Sequence, residues 1–401
     1  MDGRNKSGHD DASCIRLMLR RLLYDAKIRD AIYQIALVMG LVALSVWFVR
    51  NASQNLVNAG IASGFDFLWR TSGIDVPFVL TNYTAQSRII DLMWVGVVNT
   101  LLVTIIAIIG ATLLGFVIGL VRLSPHWLAA RVAGAYIEVV RNIPLLFFIL
   151  FWYFGVIAAL PAPRQSISVF GVAFINNRGL TIPVPIDGFA FRAAAVITVA
   201  ALVLAWIAAR AARAERDRSG KTSFGWLAPA LALGAPLLAF VVATLISTWD
   251  VPVLRGFNYR GGFVLIPEFA AVLAALITYT AAFVAEIVRG GVEAVPAGQS
   301  EAASALGLTT AQRLRLVIIP QALRVMTPPM TSQYLNVLKN SSFGAAIAFP
   351  ELVSVFMGSA LNNTGQAIEI IAITLALYLA IGLAVSAFMN WYNARIRLVT
   401  R

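Results

Sequence analysis

Long apolar runs recur along this chain, and they restrict its architecture before any motif is considered. Eight runs fall at roughly 31–49, 92–121, 132–160, 189–209, 226–248, 263–288, 325–349 and 367–391. About 20 apolar residues in a helix cross the hydrocarbon core of a bilayer. Inside that core every backbone N–H and C=O must find its partner within the helix, because no water is there to supply one. An all-α polytopic membrane protein of about eight transmembrane helices is the predicted fold class. With 59% hydrophobic and only 12% charged residues among 401, a soluble domain is excluded.

The basic residues then orient the spans. With the N-terminus inside, 21 Lys and Arg fall on the cytoplasmic side, between the start of the chain and the tail beyond Asn393. Eight fall outside: Arg50, Arg70, Arg88, Arg164, Arg178, Arg192, Arg255 and Arg260. The positive-inside rule therefore predicts both termini in the cytoplasm. The first run begins beyond residue 30 and has no Ala-x-Ala cleavage chemistry nearby, so it reads as a retained anchor rather than a secretory signal. The polar opening MDGRNKSGHDDASC reads as disordered. Two outer segments, 50–91 and 161–188, are rich in Gly and Pro, which suits either a cap over the outer mouth or plain connections.

Several function classes lose their footing here. Cys14 is the only cysteine and His9 and His126 the only histidines, so neither a disulfide nor a His/Cys metal site is expected. The net charge of +12 comes without a long basic tract, and it reports cytoplasmic loops rather than nucleic acid. Ser219-Gly220-Lys221-Thr222 has the end of a phosphate-binding loop, but Glu215 stands where the first glycine belongs and a span precedes it in place of a strand. No nucleophile or acid/base constellation is evident, and no HExxH or paired-carboxylate motif appears. An enzyme is not expected.

One loop on the predicted cytoplasmic side has unusual local order. In EAASALGLTTAQRLRLVIIP, positions 301–320, Ser300 can cap a short helix Glu301–Leu306, with the acid in its first turn where the helix dipole favours it. Gly307 suits a left-handed stop. Thr309 and Gln312 have the spacing of a capping box, so a second helix is predicted to run toward Pro320. Ala302, Ala303 and Ala305 keep the first helix slim, either to seat it in a partner's groove or simply to raise helix propensity.

Polar side chains within the spans are the other candidates. Glu138 with Arg141, and Glu286 with Arg289, stand at i and i+3 near inner span ends, as inner-rim ion pairs or as gating elements. In the seventh run Ser332, Asn336, Lys339 and Asn340 fall along one helical side. A Lys facing lipid costs about 2.5–3.5 kcal/mol on the insertion scale. The stripe is therefore expected to face a translocation pathway or a subunit interface.

Together these motifs resemble a known family. Glu301-Ala302-Ala303, three residues, Gly307, nine residues, then Val317-x-Ile319-Pro320 is similar to the EAA signature of ABC importer permeases, with Val317 and Ile319 in place of the usual Ile and Leu. YIEVVRNIPLLFFILFWYFG at 136–155, AEIVRGGVEAVPAGQSEAA at 285–303 and LKNSSFGAAIAFPEL at 338–352 resemble the polar amino acid branch. NNRGL at 176–180 and the eight-span plan resemble the larger permeases of general L-amino acid transporters of Gram-negative bacteria. Where many of the branch carry Asp, this chain has Asn340, so a carboxylate contact to a substrate ammonium is not implied there.

The resemblance implies a type I ABC importer permease core over 92–391, with an inserted region 161–262 and an ATPase-coupling loop over 290–324. Segments 1–30 and 392–401 would be cytoplasmic tails, 31–49 the anchor and 50–91 a periplasmic loop. It further implies a bacterial inner-membrane location and L-amino acids as cargo. The implied partners are a second permease subunit, an ATP-binding subunit dimer and a periplasmic amino acid-binding protein. ATP and Mg would sit on the partner ATPase, with no cofactor in this chain. The alternative, an ion-coupled secondary transporter, would need coupling groups near the midplane and a broken-helix pair repeated in two halves.

Overall fold

In the computed structural model residues 26–58, 64–219 and 226–396 are described. Residues 1–25 of the predicted N-terminal tail, residues 59–63, residues 220–225 with Gly220-Lys221-Thr222, and residues 397–401 lie outside them.

Two helices form the centre. Helix α2 spans Ile89–Arg122 and α7 spans Pro267–Glu293, and they share the most extensive contact in the molecule. Small residues permit it. On α7, Ala271, Ala275, Ala281, Ala282 and Ala285 are all fully buried. On α2, a Cβ at Gly115 would stand 2.5 Å from Val284 Cβ and 2.9 Å from the Ala281 carbonyl. Such small-residue contacts replace the hydrophobic drive that lipid cannot supply, since tails are as apolar as the side chains they would cover.

The third apolar run, expected as one span over 132–160, is two helices. Helix α3, Trp127–Asn142, meets α4, Leu145–Ile157, at a bend of 108°. Pro144 is the reason: the residue before a proline is driven out of helical conformation, and Ile143 is extended at φ −104°, ψ 131°. Both limbs are tied to α7. Tyr136 Oη donates to Thr278 O at 2.5 Å, Trp152 Nε1 to Thr278 Oγ1 at 3.2 Å, and Tyr153 Oη to Glu268 Oε1 at 2.9 Å.

Helix α8 is Ala297–Ala305, and the short α9, Thr310–Arg313, follows it. A π-turn at Leu314–Ile318 leads from α9 into α10, Ile319–Asn340. The seventh run, expected to stay helical to 349, leaves α-geometry at Asn340. Ser341 and Ser342 turn their hydroxyls back onto Leu338 O and Lys339 O, each at 2.7 Å, and the chain tightens into a 3-10 turn over Ser341–Ile347. A π-helix at Val353–Ala360 and the short α11, Leu361–Thr364, lead to α12, Ala367–Ile396. Among the described residues six helices are long and apolar enough to span a membrane, or seven with the bent pair; α10 takes the remaining predicted place while carrying the polar stripe.

The outer elements are loosely attached. Helix α1, Ala26–Asn58, buries none of its apolar window, and the hairpin of α5, Phe189–Ser219, and α6, Leu227–Ile246, buries 17% and 11%. That hairpin's two outer segments fold into a small β cap instead of running as plain connections. Strands β1 (Ile167–Val169), β2 (Ala173–Asn176) and β3 (Gly179–Ile182) are joined by β8 (Phe263–Leu265), all antiparallel, with Thr181 opposite Val264. β4 (Val184–Pro185) pairs β5 (Trp249–Asp250), and β6 (Val253–Arg255) pairs β7 (Asn258–Arg260).

Candidate functional site

At the bundle end opposite the cap, α8 and its glycine form a closed motif. The helix starts at Ala297 after Pro296, not at Glu301, so Ser300 lies inside it and accepts from Ser304 Oγ at 2.9 Å instead of capping. Pro296 sets the start with φ −56° and no N–H to leave unsatisfied beyond it. Gly307 stands at φ +73°. Its N–H donates to Ser304 O at 2.9 Å and the Leu308 N–H reaches Ala303 O at 3.2 Å, the paired bonds of a Schellman stop. Thr309 then opens α9 with its capping box: Gln312 N–H donates to Thr309 Oγ1 at 3.3 Å, and Thr309 N–H to Gln312 Oε1 at 2.9 Å.

The second helix does not end at Pro320. It passes through it, because the π-turn just before has already displaced the hydrogen-bond ladder that a proline would break. Arg313 Nη1 donates to Ser304 Oγ at 2.8 Å and Gln321 Nε2 to Gln299 Oε1 at 3.2 Å, tying the second helix to the first. Only Ala303 of the first helix turns inward, at 3% exposure. Glu301, Ala302 and Leu306 face out, Leu306 at 81%. A short helix held from behind, with alanines, Leu306 and Glu301 in front, is a surface another protein can grip.

Inward of this loop, the two acid–base tetrads differ. Arg289 Nη2 meets Glu286 Oε1 at 2.6 Å, and Nη1 meets Glu293 Oε2 at 2.5 Å. Glu138 and Arg141 do not pair. Glu138 lies 4.0 Å from Arg122, while the Arg141 guanidinium sits 5.4 Å over the Phe283 ring. The helix ends at Asn142, whose amide caps Glu138 O at 2.6 Å, and this places Arg141 in a last turn directed at α7. Sequence spacing cannot register that a helix stops one residue later.

On α10 the stripe separates from the buried face. Ser332, Asn336 and Lys339 are exposed and Asn340 half-buried, whereas Met326, Thr327, Met330, Val337 and Leu338 are buried against the bundle. The polar side points away from this chain's own core. Pro328 and Pro329 lie inside the helix beside it.

Two buried polar residues escaped the sequence reading. Asn99 on α2 donates to Phe78 O at 3.1 Å and Pro350 O at 2.8 Å, and Thr100 Oγ1 beside it accepts from the Leu352 N–H at 3.1 Å. Glu351, fully buried, accepts from the Val353 and Ser354 N–H groups at 2.8 Å each and from Tyr378 Oη at 3.0 Å. It caps the π-helix and fastens it to α12. A signal was present in both cases: a lone amide or carboxyl amid apolar sequence must be paired. Among the described residues no group of three His, Cys, Asp or Glu is placed to hold a metal.

Known proteins match this arrangement. Residues 201–398 match the family described as "Binding-protein-dependent transport system inner membrane component". The chain is 49% identical over 375 residues, 93% of its length and 95% of the relative's, to the "Putative amino-acid ABC transporter permease protein YhdX" of Escherichia coli (strain K12). It is 46% identical to the "General L-amino acid transport system permease protein AapQ" of Rhizobium johnstonii, covering 95% of this chain and 96% of that one. At 37% identity, over 96% and 97% of the two lengths, it matches the "Glutamate/glutamine/aspartate/asparagine transport system permease protein BztB" of Rhodobacter capsulatus. Similarity at this level over nearly the whole length, with an exposed, glycine-stopped EAA helix in place, decides the family: the chain belongs to the ABC transporter permeases, the inner-membrane components of binding-protein-dependent transport systems.

Proposed function

We propose that this permease carries L-amino acids inward as one of two permease subunits, with the α8 loop gripping a separate ATPase and the α10 stripe facing the substrate path. The observation that carries the reading is the Schellman-closed helix Ala297–Ala305, which exposes Glu301, Ala302 and Leu306 while its back is hydrogen-bonded to the following helix. Its relatives' names, all amino acid permeases, support the cargo class. The charge asymmetry supports cytoplasmic termini, which puts the loop on the ATPase side and the cap outside.

In this reading a partner ATPase binds ATP and Mg and changes shape between its two states. Work is transmitted only if the loop is bound with different free energy in those states. The rigid back of α8 serves that requirement, because a helix that could slide on its own chain would absorb the motion. Ser332, Asn336, Lys339 and Asn340 then offer polar contacts along the path, and the Glu286–Arg289–Glu293 cluster braces the inner end of α7. An ion-coupled carrier has no support from the family.

The test is purification from native membranes, identification of the co-purifying subunits, and reconstitution with them and with each candidate periplasmic binding protein. ATP-dependent L-amino acid uptake requiring all components is expected. Uptake by the chain alone, driven by an ion gradient, would overturn the reading.

A further inference from the structure

The β cap carries a cost that nothing among the described residues offsets. The turn Val169–Val172, closed by the Val172 N–H on Val169 O at 3.3 Å, has both central residues left-handed: Phe170 at φ 55° and Gly171 at φ 73°. Such turns favour Asn, Asp and Gly; a bulky L residue there costs about 1–2 kcal/mol. A residue in a strained conformation is normally held by its surroundings. Phe170 is instead 96% exposed. It has neither burial nor turn preference in its favour.

A second hairpin also carries an exposed phenylalanine at its tip, here without the backbone strain, because glycine takes the left-handed position. β6 and β7 turn at Gly256, φ 67°, and Phe257 beside it is 71% exposed. Arg164 steadies this tip, donating from Nε to Gly256 O at 3.3 Å with its guanidinium 4.4 Å over the Phe257 ring. The hairpins belong to one body, since Phe174 stacks on Tyr259 at 4.4 Å and Arg178 bonds to Asn258. Charge in the cap leans basic. Arg164, Arg178, Arg255 and Arg260 are all exposed, against two exposed carboxylates, each held by a backbone group: Asp187 accepts from the Phe189 N–H at 2.9 Å and Asp250 from the Gly262 N–H at 2.8 Å.

We propose that the two phenylalanine-tipped hairpins, ringed by arginines, form the docking surface for an acidic face of the soluble binding protein. The inference rests on the importer reading above and adds the surface and its chemistry. Aromatic anchors surrounded by Arg are the composition of interface hot spots, and a basic rim selects an acidic partner and speeds its arrival. A membrane surface would also accept Phe and Arg. Placement argues for protein: β8 runs directly into α7 and β3 rests on that helix, whose apolar window is 56% buried, so the cap sits on the bundle's centre and not on a lipid-facing flank.

Phe170→Asn is the decisive variant, because Asn takes the left-handed conformation more readily than Phe and keeps the turn while deleting the ring. The complex that transports in the preceding test is placed in nanodiscs, and ATPase stimulation is titrated with the binding protein that supports uptake. Phe170→Asn with Phe257→Ser is expected to raise the half-saturating concentration about tenfold or more, leaving the maximal and unstimulated rates intact. Arg164→Glu with Arg255→Glu should raise it as well and flatten its salt dependence. Unchanged half-saturation in the phenylalanine variants overturns the proposal. So does a shift that appears only when anionic phospholipid is present in the nanodisc, which would make the cap a membrane anchor. If no binding protein supports uptake by the wild-type complex, the importer reading fails and this inference falls with it; a working transporter indifferent to the variants sinks the inference alone.

Discussion

Helices α1 and α7 have almost the same mean hydropathy, 2.1 and 2.0 over their apolar windows, yet 0% of the first window is buried and 56% of the second. Hydropathy reports what a segment can face, and it is equal for lipid and for another helix. What separates the two is side-chain size. α7 presents alanines to α2 at points where α2 presents Gly115 and Gly119, so the backbones approach closely. α1 carries Leu41, Val42, Trp47 and Phe48 around an isolated Gly40 that has nothing within 4 Å of its missing Cβ.

The strongest way to break this comparison is the same substitution in both helices. Gly115→Leu drives a side chain into Val284 and the Ala281 carbonyl, where overpacking costs about 1–3 kcal/mol and more when backbone must move. A large fall in thermal stability and in yield of the assembled complex is expected. Gly40→Leu should leave thermal stability unchanged. Equal behaviour of the two, read by size-exclusion melting curves, would mean that burial within this chain does not set its packing tolerance.

Glu351 extends the contrast to polar groups. Glu351→Ala leaves two part-buried N–H groups without their acceptor and removes the carboxylate that Tyr378 Oη meets, at up to about 1–3 kcal/mol for each group left unsatisfied. Glu301→Ala, on an exposed helix face, should cost under about 0.5 kcal/mol in stability while impairing coupling. A comparable melting-temperature loss in both would show that the capping role of Glu351 is overstated.

These pairs also show what the chain discloses by reading and what it withholds. Six spans, the left-handed Gly307 and the Thr309 capping box depend on neighbours a few residues away, and all three are legible. The bend at Ile143-Pro144 had its proline in plain view, but a continuous apolar run from 132 to 160 outweighed it. A cap is one of two readings of the outer segments, but its strand pairing is beyond reach, because Thr181 pairs with Val264 across two intervening spans and the strands are two to four residues long. The partner of Arg141 likewise depends on where α3 ends. Local order is written locally; pairing across the fold is not.

Gly307→Val is the intermediate test. At φ +73° a β-branched residue strains the stop by roughly 1–2 kcal/mol, although open space surrounds the position. Because no side chain is displaced, the chain should still insert and assemble, and the loss should fall on coupling: uptake and substrate-stimulated ATPase activity both reduced. Unchanged coupling would make the loop a passive connector.

A small expected effect on stability goes with the most informative functional test in Lys339→Met. Its side of α10 is exposed while Val337 and Leu338 beside it are buried, so removing the ammonium disturbs no packing within this chain. Met keeps much of the apolar stem and deletes the charge with its three donors. If the stripe lines the path, uptake falls in a complex that still co-purifies with all its subunits. If the stripe instead joins the second permease, subunit association loosens first, by about 0.6–2 kcal/mol for a lost interhelical polar contact. Co-purification measured beside uptake separates the two, and a stable complex with normal uptake eliminates both. Reduced uptake in an intact complex is the expected result, because an exposed lysine in line with Ser332 and Asn336 offers a charge and three donors to a polar path, whereas facing lipid it would cost about 2.5–3.5 kcal/mol.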